Sequence, residues 1–150
     1  MVEPTGRQAT LFVRPDLPGP TRRRREQLAT RLQRLREDGV LDTVTVETWA
    51  KQRPVDSDDR YAAFAAWAAS AGVSLAPCFR TRTCYEPGTT DRREYRVRPA
   101  ICLVVTDDCG EIDAVYPHFD GGPRSVRDGL AALGQGTRRS SGASDPGIAD

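Results

Sequence analysis

The chain has 150 residues, 38% hydrophobic and 29% charged, with a formal net charge of +1. That is enough chain to bury one core, and no apolar run approaches the roughly 18 residues of a membrane span, so no membrane partner is expected. The near-zero net charge excludes a strong overall field, and the first ten residues lack the apolar stretch of a signal peptide, which sets the expected location in the cytoplasm.

Residues 1–9 read as a flexible lead-in. "ATLFVR" then alternates Leu11 and Val13 against Thr10 and Phe12, the period of a strand. Three prolines and a glycine in "PDLPGP" stop any regular element. Thr21 as N-cap and Gly39 as C′ residue bracket a first helix whose buried stripe is Leu28, Leu32 and Leu35. In "LDTVTVETWAK", Val44 and Val46 alternate with Thr43, Thr45 and Glu47, which predicts a second strand. "RPVDSDD" reads as a loop that offers Asp56 or Ser57 as a cap. A second helix is expected over Asp58 to Ala71, closed by Gly72. One of its faces carries Tyr61, Phe64, Trp67, Ala68 and Ala71.

The chain then turns to strands. "SLAPCFRTRTCYE" is weakened as a strand by Pro77, and "PGTT" is a turn. "REYRVRPAICLVVT" reads as one long strand with Pro99 at a bulge or edge. Ile101 to Val105 is apolar on both faces and should be covered on both. "EIDAVYPHF" is the last strand, followed by a short helix that Ser125 and Asp128 cap as a box. Residues 135–150 are small, polar and glycine-rich, the composition of a disordered tail. The order β-α-β-α-β-β-β-α over residues 10–134 predicts a single α+β domain, two-layered, with three helices on a mixed sheet of about five strands.

Lys51 is the only lysine, so almost every cation is a guanidinium, suited to bidentate contact with carboxylates or phosphates. Residues 1–40 hold nine Arg against five acids, and residues 101–150 four Arg against eight acids. The densest run is Arg22, Arg23, Arg24 and Arg25 at the start of the first helix. At about 100° per residue, Arg23, Arg24, Arg31 and Arg34 fall on one flank of the leucine stripe, and Arg22, Arg25 and Arg36 on the other. Long stems beside an apolar stripe cover its edge while their heads reach water. Cations at a helix start also oppose the macrodipole, a cost that a bound anion, high salt or acids from a neighbouring element would offset. A helix-turn-helix places its reading helix second, after a short turn. Here the turn "REDGV" leads into a strand, so a complete reader motif is absent.

A second basic set lies on the strands. Arg80 and Arg82 share a face with Cys78 and Cys84, and Arg96 and Arg98 share one with Cys102. If "PGTT" closes a hairpin, the four arginines stand side by side as an anion surface, or pair with Glu86, Asp91 and Glu94 on an exposed sheet. Ala62, Ala63, Ala66 and Ala69 make a smooth second-helix face, a candidate contact for a homodimer or another protein. His118 is the only histidine and has no nucleophile or metal-spaced partner, which points to a structural or surface role. The four cysteines are expected to be thiols, with gaps of five and six residues, too wide for a short-spaced zinc pair. No catalytic residues, metal site or cofactor are expected.

"LFVR", "LQRLREDGVLDTVTVETWAK", "FAAWAASAGVSLAPCF", "RPAICLVV" and "AVYPHFDGG", spread over residues 10–134, resemble small haloarchaeal proteins that carry a helix-turn-helix label. The resemblance implies a cytoplasm rich in potassium chloride and a DNA-binding regulator. It carries no catalytic residues to transfer. At about 1 M salt the Debye length is near 3 Å and phosphate-driven affinity falls steeply with salt, so a basic cluster there is a weaker sign of nucleic-acid binding than the same cluster at about 0.1 M. Two functions follow as expectations. One is a regulatory, DNA-associated binding module using Arg22 to Arg25 with Arg80, Arg82, Arg96 and Arg98. The alternative is a protein-interaction or small-ligand-sensing domain that binds no nucleic acid. An enzyme is not expected.

Overall fold

In the structure, a computed structural model, residues 6–85 and 87–143 are described, with the side chains of 136–143 left out. The N-terminal half is a crossover unit. β1 (Gln8–Val13) leads through the proline loop to α1 (Gly19–Glu37), which returns the chain to β2 (Thr43–Thr48), parallel to β1. β3 (Gln52–Pro54) and a single 3₁₀ turn (Val55–Ser57) precede α2 (Asp59–Ala71). β4 (Arg80–Tyr85), β5 (Arg92–Val97), β6 (Ile101–Thr106) and β7 (Ile112–Tyr116) follow. Two short strands, β8 (His118–Phe119) and β9 (Pro123–Arg124), bring the chain to α3 (Val126–Ala143).

The class is α+β with mixed sheets, as the element order implies. The main sheet runs β2-β1-β6-β7, with β6 antiparallel to both β1 and β7. A separate antiparallel sheet, β3-β5-β4, carries the "PGTT" hairpin. Two features depart from the expected arrangement. The long strand expected over residues 93–106 is two strands in two sheets, broken at Arg98–Ala100. Helices also cover both faces of the main sheet, giving three layers in place of two. Ala9, Leu11, Val13, Leu103 and Val105 pack with Leu28 and Leu32 of α1 and Leu130 of α3. From the same strands, Phe12, Cys102 and Val104 point the other way, onto Phe64 and Ala68 of α2. A strand apolar on both faces needs cover on both, and the two helix sets supply it.

Local chemistry explains the element ends. α1 begins at Gly19, two residues before Thr21, with Pro18 at the N-cap position and Pro20 in the first turn. Proline has no N–H to leave unpaired and its φ already suits a helix start. No side chain caps this start, and no acid stands in its first turn. Gly39 takes φ +82° at the other end, the left-handed C′ position where glycine escapes a Cβ clash. For α2 the cap is Asp58, whose carboxylate accepts from the Tyr61 N–H at 3.3 Å; neither Asp56 nor Ser57 takes that place. Ser125 and Asp128 cap α3 reciprocally, at 2.7 Å (Ser125 N–H to Asp128) and 3.2 Å (Asp128 N–H to Ser125). α3 continues past Gly134, where the domain boundary is expected, to Ala143; residues 144–150 of the expected tail lie outside the described residues. It rests on Tyr116 at Gly129, where an added Cβ would stand 2.5 Å from the ring. Only glycine permits that approach.

Candidate nucleic-acid interface

α1 presents its arginines as the helical wheel predicts. Leu28 and Leu32 are buried, while Arg22, Arg23, Arg24, Arg31, Arg34 and Arg36 are exposed and Arg25 is half-buried. Arg23, Arg31 and Arg34 surround an open surface depression with Gln27 and Glu26, and α3 adds Arg127 to the same rim. On the opposite flank, Arg22 and Arg25 meet Arg14 and Asp16 of the proline loop, beside Thr48 of β2. Arg14 donates to the Arg98 carbonyl. Burial lowers the Arg14 pKa, Asp16 works against that shift, and the charge of Arg80 adds to it. Arg80 therefore stands within electrostatic reach of Arg14, although 66 residues separate them in sequence. Among the described residues, none of the α1 arginines and neither Arg80 nor Arg127 forms an ion pair. Arg14 and Arg127 escape the sequence pattern because only the fold brings them to α1.

The strand arginines behave differently. The "PGTT" hairpin forms, but its register places Thr81 opposite Arg96 and Arg82 opposite Tyr95. Side chains alternate along a strand, so Arg80 and Arg82 project from one face and Arg96 from the other. They do not stand side by side. Arg96 is half-buried, its guanidinium 3.5 Å from the Tyr61 ring centroid, a cation–π contact with α2. Arg98 lies in the interior. Its side chain is 3% exposed and that of Asp58 2%, with Nη2 3.1 Å from Asp58 Oδ1. The Arg98 guanidinium also packs over the Trp49 ring at 4.8 Å. It is a structural cation, out of reach of any surface ligand. The two partners proposed for the strand set that can be seen, Asp91 and Glu94, are exposed; Glu86 lies outside the described residues.

The remaining candidates have plain positions. Ala62, Ala63, Ala66 and Ala69 are exposed on the outer face of α2. His118 is buried, and its Nδ1–H donates to the Val115 carbonyl at 2.7 Å. Trp67 and Tyr116 pack on its ring with centroids at 5.4 and 4.8 Å. The four cysteines are unpaired, with Cys102 in the core and Cys109 in the exposed β6–β7 turn. Burial pushes the Cys102 and Cys78 thiols up from their ordinary pKa, which disfavours the reactive thiolate. Asp107, Asp108 and Cys109 cluster in that turn. Asp107 Oδ1 accepts from the N–H groups of Cys109 and Glu111 at 2.8 and 2.9 Å, which is turn chemistry.

α1 is thus a cationic helix carried on an α+β scaffold, its guanidinium groups without ion-pair partners among the described residues. A family model described as a helix-turn-helix domain matches residues 2–138, and the chain belongs to that family. Neither the curated proteins nor the solved structures hold a match. No two α-helices among the described residues follow one another without an intervening strand. No described helix is long and apolar enough to cross a membrane.

Proposed function

We propose that the protein is a DNA-associated regulatory module of the cytoplasm, without catalytic activity, that holds the phosphate backbone through the exposed arginines of α1. The observation that carries the proposal is the unpaired set Arg23, Arg24, Arg31 and Arg34, extended by Arg127. From Arg23 to Arg34 the helix rises about 16 Å, roughly the length of five base-pair steps. Family membership supports a DNA partner. The strand that follows α1 argues against a second, groove-reading helix, so the contact is with phosphates, which position a protein without reading sequence. Arg22, Arg25 and Arg80 extend the cationic surface on the other flank, with Arg82 further along β4. Arg96 and Arg98 are held by Tyr61 and Asp58 and take no part. In a haloarchaeal cytoplasm these contacts would work at molar potassium chloride, where only close pairs escape screening.

The test is fluorescence anisotropy with duplex DNA over a potassium chloride series, on the wild type and on a variant with Arg23, Arg24, Arg31 and Arg34 changed to Gln. Binding should weaken at every salt, and the slope of log K against log salt should shrink by about 3.6, at roughly 0.9 per lost phosphate contact. Equal slopes for the two proteins would remove α1 from the interface. The exposed alanines of α2 favour a second reading, a protein-interaction domain that pairs through Ala62, Ala63, Ala66 and Ala69. Sedimentation at several concentrations decides it, because a strict monomer excludes a homodimer on that face.

A further inference from the structure

One feature beside the arginine surface does not suit a phosphate backbone. The first turns of α1 and α3 converge on the start of β6 and enclose a cleft of about 440 Å³. That volume lies within the range of small-molecule clefts. Its floor is apolar, formed by Leu28, Ile101, Pro117 and Val126, while Arg24 and Arg127 stand among its lining side chains. No acidic side chain lines it, and neither arginine has an ion-pair partner among the described residues. Asp128, one residue after Arg127, is engaged by the N–H and hydroxyl of Ser125 at 2.7 and 3.2 Å.

We propose that this cleft binds a small organic acid, with its carboxylate between Arg24 and Arg127 and its apolar body on the floor. Each half of the lining specifies one half of the ligand. Guanidinium forks suit a carboxylate through paired, charge-assisted hydrogen bonds. Leu28, Ile101 and Val126 offer nothing to a phosphodiester, but they gain by covering a ring or short alkyl chain. Thr21 adds the one hydroxyl of the lining that is left to the ligand, since the Ser125 hydroxyl is taken up in capping α3. The site stands whether or not α1 touches DNA. Where it does, ligand and DNA share Arg24 and Arg127, so each would weaken the other, as reciprocal linkage requires.

The experiment uses the full ¹⁵N-labelled chain, titrated with phenylbutyrate and separately with its neutral amide, phenylbutyramide. Phenylbutyrate should shift the amide signals of Thr21, Ile101 and Val126 and bind roughly tenfold or more tightly than the amide, the size expected when hydrogen bonds to a charged group are gained. Changing Arg24 and Arg127 to Gln should bring the two affinities together. Both side chains are exposed, so the spectrum of the free variant should match the wild type. Absence of shifts, shifts confined to other surfaces, equal binding of acid and amide, or a preference that survives the double substitution would each overturn the proposal. The readout contains no DNA, so its failure is separate from a failure of the interface on α1.

Discussion

The arginines of α1 and two at the β5–β6 junction, Arg96 and Arg98, are the same side chain in two settings. On α1 they border a leucine stripe, carry no ion pair and reach water. On the strands, Arg98 is sealed under Trp49 against Asp58, and Arg96 lies over Tyr61. The difference lies in what surrounds the head group. A guanidinium on a helix flank keeps its hydration, so its worth to the fold is small and its charge remains available. A guanidinium at a strand break inside the protein loses its hydration. It persists only with a carboxylate and carbonyls in place, here Asp58 and the Ala50 carbonyl at 3.5 Å. Only the first kind can serve a ligand.

The contrast breaks most sharply at Arg98. Arg98→Ala leaves Asp58 buried without its counterion, and stability should fall by about 3–5 kcal/mol. Thermal unfolding followed by circular dichroism should show a midpoint roughly 6–20 °C lower; a shift near zero would mean that the pair contributes nothing. Arg96→Gln comes next. It removes a half-buried cation–π contact and should cost about 0.5–2 kcal/mol in urea unfolding.

The α1 substitutions sharpen the contrast from the other side. Arg22→Gln and Arg23→Gln should leave stability unchanged or raise it by about 0.3–1 kcal/mol each at low salt, because both cations stand at the positive end of the helix dipole. High salt should erase the gain. A loss above about 1 kcal/mol would make these arginines part of the fold. The smallest effect concerns the acid beside Arg127. Hydrogen bonds from Ser125 hold the Asp128 pKa below the ordinary aspartate value. A carboxyl depressed in the folded state stabilises above its unfolded pKa, and that contribution is lost as pH falls through the folded value. Ser125→Ala should move the Asp128 titration up toward the ordinary range, read from its side-chain carbon shift.

Much of this contrast is legible in the sequence, but not all of it. The α1 flanks follow from a single periodicity, as do the closing glycines at 39 and 72 and the capping pair at Ser125 and Asp128. Those features depend on neighbours within one or two turns. The double cover of Ile101 to Val105 is also readable, since an unbroken apolar run has no solvent face. The break at Arg98 is not. It depends on Asp58, forty residues upstream, and a pattern of alternating residues carries no record of such a partner. Which helix covers which face escapes for a related reason: the apolar faces of α1 and α2 look alike until the crossover sets one on each side of the sheet. Arg127 and Arg14 join the candidate surface by the same long-range placement, and no local motif marks them.

Asp58 also has a consequence for how the molecule opens. One carboxylate oxygen holds both the first turn of α2, through the Tyr61 N–H, and the β5–β6 junction, through Arg98. The Arg98 N–H in turn reaches the Lys51 carbonyl, and the Trp49 indole N–H reaches the Pro99 carbonyl. Segments distant in sequence thus meet at one joint and should fluctuate as a single cooperative unit. In native-state hydrogen exchange, the amides of Tyr61 and Arg98 should report one shared opening free energy with the same denaturant dependence. The exposed turns of α1 should exchange independently, at lower cost.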